Sequence, residues 1–298
     1  MQKAWVRVVV VVSAMGVVFL LSVLFPDVAL KITKKIRGRA FTITSYVKYK
    51  TGVRYEKEGD YENALDSFEQ GAELDPDNPY ILFRIGCCNV KLEHFDKAIE
   101  SYKKVIKINP RSDETYYNLG IAYSKTGRHN EAIEAYKEVI KLDPDAFDAL
   151  FNISNEYYTV GQFKESVEAC KQAVQINPDY SPAYITLGLA YSRLGKYDES
   201  IKSLKKALKI DPDSSIAYND LGLVYFRREN YDEAIKSFKH AIQIEPNYAQ
   251  AHFLLGLVYL KLGDEDSSIA EYRVLLKLDK ELADALSADI VAHALNKK

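Results

Sequence analysis

Six prolines, Pro76, Pro110, Pro144, Pro178, Pro212 and Pro246, stand at a constant interval of 34 residues. A fixed period of roughly 20 to 50 residues marks stacked supersecondary units, so the chain is confined to repeat architectures. Counting back from the prolines gives seven units: 45–78, 79–112, 113–146, 147–180, 181–214, 215–248 and 249–282. In the third, Tyr116, Leu119, Gly120 and Tyr123 fall at i, i+3, i+4 and i+7, one face of a helix. Gly127 to Asn130 interrupt it, and Ala132, Ile133, Tyr136, Val139, Ile140 and Leu142 then mark a second helix with a broad apolar stripe. Pro144 lacks a backbone donor and clashes with the preceding turn, which ends that helix. Each unit is expected to be an antiparallel helical hairpin.

Two positions within the unit are held small. Position 8 is Gly52, Gly86, Gly120, Ser154, Gly188, Gly222 and Gly256, and position 20 is Ala64, Ala98, Ala132, Ser166, Ser200, Ala234 and Ser268. A glycine inside a helix costs about 1 kcal/mol against alanine, so six at one position require a compensating contact. Close crossing of the paired helices at positions 8 and 20 supplies that contact, with bulky residues at positions 4, 7, 11, 17 and 24 around it. One hairpin cannot bury so much apolar surface alone and needs neighbours on either side.

Small at 8, aromatic at 11, small at 20, aromatic at 24 and proline at 32 is a pattern that resembles the tetratricopeptide repeat family. The resemblance covers residues 45–282. It implies an all-α, right-handed superhelical solenoid of seven helix–turn–helix repeats. Lys280 replaces the last proline, and Leu282, Leu286, Ile290 and Leu295 are spaced to cover the seventh hairpin, so 283–298 is expected to be a capping helix and tail.

In this family the first helices of successive hairpins line the concave surface, and positions 2, 5, 9, 12 and 13 face ligands. Carried onto this chain, position 5 gives Tyr49, Phe83, Tyr117, Phe151 and Phe253, with Ile185 and Asn219 between them. Position 13 gives Lys91, Lys125, Arg193 and Arg227 among six basic residues in seven repeats. Asn118 and Asn152 at position 6 and Asn155 at position 9 are amides able to hold a peptide backbone. Aromatic anchors flanked by cations suit a protein or peptide partner, one carrying carboxylates in particular. The lysine at position 5 with which co-chaperone members grip a C-terminal carboxylate is absent from every repeat.

Ahead of the repeats, Val8 to Phe25 is a run of 18 residues without a charge. As a helix it would cover about 27 Å, close to the hydrocarbon thickness of a bilayer. Residues 1–30 are therefore expected to hold a single transmembrane helix, with Val8, Val12, Phe19, Leu24 and Phe25 in contact with lipid. The run exceeds a signal-peptide core and no small-x-small cleavage site follows it. Residues 31–44 are expected as a basic juxtamembrane linker against anionic headgroups. Residues 1–44 carry seven Lys and Arg against Asp27 alone, net +6, which leaves −8 for the remainder of a chain whose total is −2. This segregation favours a membrane surface at one end over nucleic acid throughout. More cations follow the apolar run than precede it, placing the repeats in the cytoplasm.

The sequence contains no phosphate loop, zinc-protease helix, nucleophile elbow or calcium loop. Cys87, Cys88 and Cys170 show no metal or disulfide spacing and are expected as small core residues. The five histidines are scattered, with His129 at position 17 and His252 at position 4 standing where packing residues stand elsewhere. No catalytic residue, metal or cofactor is expected. The functional reading is a membrane-anchored, non-enzymatic scaffold that gathers partners. Self-association into a coat, and an exported envelope-assembly factor, are the two alternatives.

Overall fold

The computed structural model describes residues 26–296, and these form fifteen α-helices. They are α1 (Pro26–Glu58), α2 (Tyr61–Leu74), α3 (Pro79–Lys91), α4 (Phe95–Ile108), α5 (Asp113–Lys125), α6 (His129–Leu142), α7 (Phe147–Thr159) and α8 (Phe163–Ile176). Then come α9 (Ser181–Arg193), α10 (Tyr197–Ile210), α11 (Ser215–Arg227), α12 (Tyr231–Ile244), α13 (Ala249–Leu262), α14 (Glu265–Leu278) and α15 (Lys280–Asn296). Two compact units result, one ending at Gly127 and one beginning at Arg128. The first holds α1 to α5, the second α6 to α15. In each unit every helix packs against its sequence neighbour, the nearest-neighbour stacking of an all-α repeat array.

Local chemistry sets the helix ends. Asn78, Ser112 and Ser214 precede first helices and accept backbone N–H groups of the first turn, as at Thr115 N to Ser112 Oγ, 3.3 Å. Between the two helices of a repeat, position 15 has positive φ, supplied by Gly59, Gly127, Gly161, Gly195 and Gly263. Glu93 and Glu229 occupy the same place at φ 60°, a conformation that costs a non-glycine residue roughly 1–2 kcal/mol.

All seven position-20 residues are fully buried. Ser166 Oγ donates to the Ser154 carbonyl at 2.8 Å and Ser200 Oγ to the Gly188 carbonyl at 2.6 Å, which joins positions 20 and 8 directly. The position-8 notch, however, is filled by the side chain at position 24. A Cβ placed on Gly52, Gly86 or Gly222 would lie 2.6, 2.4 or 2.7 Å from the ring of Phe68, Tyr102 or Phe238. The close crossing expected at positions 8 and 20 is present, and of the bulky residues expected around it the one at position 24 enters the notch itself. Repeat four makes the exchange explicit: where position 8 is Ser154, position 24 is Cys170, and both are buried.

Neighbouring repeats are joined by a second recurring contact. The position-25 lysine of one repeat lies over the position-11 tyrosine of the next: Lys103 over Tyr123 at 5.6 Å, Lys205 over Tyr225 at 6.0 Å and Lys239 over Tyr259 at 5.8 Å.

The two ends differ from expectation. Residues 31–44 are helical, part of α1, whose 33 residues run without a break into repeat one and span about 50 Å. Val8, Val12, Phe19, Leu24 and Phe25 lie outside the described residues, and among the described residues no helix is long and apolar enough to cross a membrane. At the other end α15 packs on α13 and α14. Leu286 is fully buried and fills the notch of Gly256, 2.6 Å from a Cβ placed there, while Leu282 and Ile290 pack at the edge of the same cluster. Leu295 is 65% exposed and does not take part.

Candidate functional site

In the first unit Tyr49 of α1 and Phe83 of α3 are half-buried, each ring leaning on the position-24 ring of its own hairpin. Tyr49 lies 5.9 Å from Phe68 and Phe83 lies 5.8 Å from Tyr102. Their outer edges open on a cavity of about 210 Å³ that Tyr80, Arg84, Ser112 and Glu114 also line. Tyr80 stands 74% exposed at its mouth. The Arg84 guanidinium meets Glu56 at 3.2 Å. Burial works against the charge of Arg84, but Glu56 and the Tyr49 phenol together hold its pKa above the ordinary value.

The other expected residues of this unit lie elsewhere. Tyr117 and Asn118 are half-buried on α5, and the Asn118 amide donates to the Glu114 carbonyl of its own helix at 2.8 Å. Lys91 and Lys125 are exposed, and among the described residues neither has an ion pair. Behind them Cys87 is half-buried and Cys88 buried. Burial pushes both thiols up, Cys88 to about 12, which leaves them unreactive small hydrophobes.

In the second unit most of the expected ligand-facing residues are occupied by the fold. Phe151 packs edge-on against Tyr180 at 5.1 Å, and Phe253 sits against the α11–α13 core. Asn155 Oδ1 accepts from Thr186 Oγ1 at 3.0 Å, while Asn152 is half-buried. Arg193 stacks over Phe163 at 5.0 Å, and Arg227 donates to Ser192 Oγ at 3.0 Å. Ile185 and Asn219, which interrupt the aromatics, are half-buried and buried respectively. Arg193 and Arg227 are therefore engaged by the fold, whereas Lys91 and Lys125 of the first unit stand exposed.

Two residues of the second unit carry electrostatics that position counting missed. Burial pushes the Asp220 carboxyl up to about 7, against the lowering influence of Asn219 and Arg227. Its signal in the sequence was being the one acid at position 6 in seven repeats. His252, on α13, is buried with Nδ1 at 2.6 Å from Glu271 Oε2 and Nε2 at 3.0 Å from the Pro246 carbonyl. Both ring nitrogens face acceptors, so the imidazolium satisfies both. The Glu271 bond, helped by Pro246 and opposed by burial, raises its pKa above the ordinary 6.5. A histidine that keeps its proton longer when folded adds stability that is complete below about pH 6.5 and lost as pH rises through the folded value. His252→Tyr, which restores the residue of Tyr184 and Tyr218, is expected to remove that part of the pH dependence. Thermal unfolding followed by circular dichroism from pH 5 to 9 checks it: the wild-type midpoint falls relative to the variant as pH rises.

Among the described residues no group of three or more His, Cys, Asp or Glu converges to hold a metal ion. Family models described as tetratricopeptide or TPR repeats match residues 45–78, 89–127, 114–146, 154–195, 193–229, 224–263 and 249–282. A search of curated proteins matches none. Among solved structures, MamA is 34% identical, with 56% of this chain and 97% of that one covered at a TM-score of 0.53. YrrB, described as a TPR protein with an unusual peptide-binding site, is 19% identical over 63% of this chain and 96% of its own, with a TM-score of 0.56. A tetratricopeptide repeat protein from Parabacteroides merdae is 16% identical over 83% and 99%, with a TM-score of 0.65. The last two likenesses are of fold alone.

Proposed function

Since the chain belongs to the tetratricopeptide repeat family, we propose that it is a binding scaffold whose first unit takes a protein or peptide partner on its first-helix face. The observation that carries this is the cavity where Tyr49, Phe83 and the exposed Tyr80 converge. Its rings are already held by packing on Phe68 and Tyr102, so little side-chain freedom is lost on binding. Exposed Lys91 and Lys125 favour a partner with carboxylates, whereas Arg193 and Arg227 of the second unit are engaged by Phe163 and Ser192. The work of the scaffold is binding, not turnover.

The scaffold acts at a membrane. The uncharged run Val8–Phe25 is long enough to cross a bilayer, and it abuts α1, whose basic stretch would lie beside the headgroups. The cation asymmetry favours the repeats on the cytoplasmic side.

Affinity capture from detergent-solubilised membranes tests both parts. Tyr80→Ala combined with Lys91→Glu and Lys125→Glu is expected to weaken capture of copurifying partners at least tenfold with the thermal midpoint unchanged, since all three side chains are exposed. Unaltered capture by the triple variant would overturn the first-unit site. Removal of residues 1–25 is expected to release the protein from membranes during an alkaline wash; continued retention would overturn the anchor.

A further inference from the structure

A second cavity, of about 460 Å³, lies in the other unit on the face carried by the second helices. Its floor is Ile140, Leu150, Ile153, Tyr157 and Ala169, contributed by α6, α7 and α8. In the two following repeats the equivalent place is occupied from within. There position 4 is tyrosine, and the position-26 side chain covers it: Lys206 lies over Tyr184 at 5.8 Å, and His240 stacks on Tyr218 at 5.1 Å. In repeat four these two positions are Leu150 and Gln172, both shorter and neither aromatic nor charged, and both line the open cavity. Repeat two also has leucine at position 4, Leu82, but Lys104 stands opposite at position 26.

The charges of the rim narrow the occupant. Lys137 is paired with Glu134 at 2.7 Å, and Glu168 with Lys171 at 2.9 Å. Lys164 and Glu165, adjacent on α8, cancel one another. The site offers an apolar floor within a rim of no net charge. That complements a neutral ring and leaves a free carboxylate or ammonium without a counter-charge. The Tyr157 phenol, whose pKa burial raises, remains a neutral donor and acceptor in the wall.

We propose that the cavity of repeat four binds a tyrosine side chain of a partner protein, which completes from outside the plug that repeats five and six supply from within. The proposal rests on the scaffold reading but adds a second contact, on the opposite helix set and with different chemistry from the first-unit site. Two such contacts on one client would raise its effective concentration at the other.

The test uses N-acetyl-tyrosinamide as probe and the full chain with ¹³C-labelled isoleucine methyl groups. Ring currents are expected to shift Ile140 and Ile153 methyl signals upfield, whereas N-acetyl-leucinamide shifts them far less. Leu150→Tyr combined with Gln172→Lys rebuilds the internal plug and is expected to keep the helical spectrum and weaken the probe at least tenfold. Gln172→Lys alone changes only an exposed residue and is expected to weaken it at least threefold. No shift in the wild type, equal shifts with the leucine probe, or unchanged affinity in the Gln172→Lys protein overturns the proposal. Tyr80→Ala, in the first-unit site, should leave the probe affinity unaltered. Loss of partner capture in that variant with probe binding intact separates the two sites.

Discussion

Gly86→Ala is expected to destabilise the first unit by about 2–3 kcal/mol, although alanine is the better helix former by about 1 kcal/mol. The added Cβ would meet the Tyr102 ring at 2.4 Å, closer than non-bonded carbons approach. The ring cannot swing aside. It is fully buried, Phe83 leans on one face, and its hydroxyl reaches Cys87 Sγ at 3.6 Å. Gly188→Ala is expected to destabilise as well, since its Cβ would meet Cγ of the fully buried Leu204 at 2.7 Å and the Ser200 carbonyl oxygen at 3.3 Å. The decisive measurement is a double-mutant cycle by urea denaturation. Gly86→Ser is expected to overpack the notch and Tyr102→Cys to leave a cavity. Together they recreate Ser154 and Cys170 and should cost about 2 kcal/mol less than the two single effects added. Simple additivity would show that the ring-in-notch contact does not couple these positions.

Leu286→Ala is expected to cost the second unit about 3–4 kcal/mol, within the range for core leucines. Leu286 is fully buried and stands where an aromatic ring stands in earlier repeats, directly over Gly256. Tyr272, the position-24 residue of repeat seven, is only half-buried and cannot take over the notch. The loss should be felt first in the last hairpin, because a stacked array passes destabilisation only between neighbours. Hydrogen exchange measured by mass spectrometry checks this: amides of α13 and α14 lose protection before those of α1 to α4. Leu295→Ala, at a 65% exposed position, serves as the comparison and should change neither protection nor midpoint.

The repeat period was enough to place fourteen of the fifteen helices, because proline and an interrupted apolar stripe act locally on the backbone. What escaped the sequence depends on contacts between distant positions. Glycine at position 8 announced a close approach, but not that a ring sixteen residues later fills it. Glu93 and Glu229 gave no sign of a left-handed backbone, since the five glycines that reveal the requirement lie in other repeats. The clustered cations of 31–44 said nothing of its conformation; with no proline and a single glycine, the stretch is helical and α1 passes through it. Charge pattern is a poor guide to backbone conformation when nothing interrupts the hydrogen-bond ladder.

The candidate site was legible in part for a related reason. Position counting named Tyr49 and Phe83, whose side chains do converge, covered Tyr80 only through the ligand-facing position 2, and missed Arg84 beside them. It also counted Arg193 and Arg227 as available, although Phe163 and Ser192 engage them. A position in a repeat specifies direction; the neighbour decides whether the side chain is free.

The pairing of position 8 with position 24 also bears on how such a gene can gain or lose copies of its unit. Both partners of the Ser154–Cys170 pair lie in one repeat, whereas the lysine–tyrosine contact joins adjacent repeats with the same residues on each side. Recombination that cuts near the prolines hands on each notch with its own filler. A crossover between positions 8 and 24 would instead unite serine with a tyrosine ring, or glycine with cysteine, and the offspring would inherit a clash or a hole.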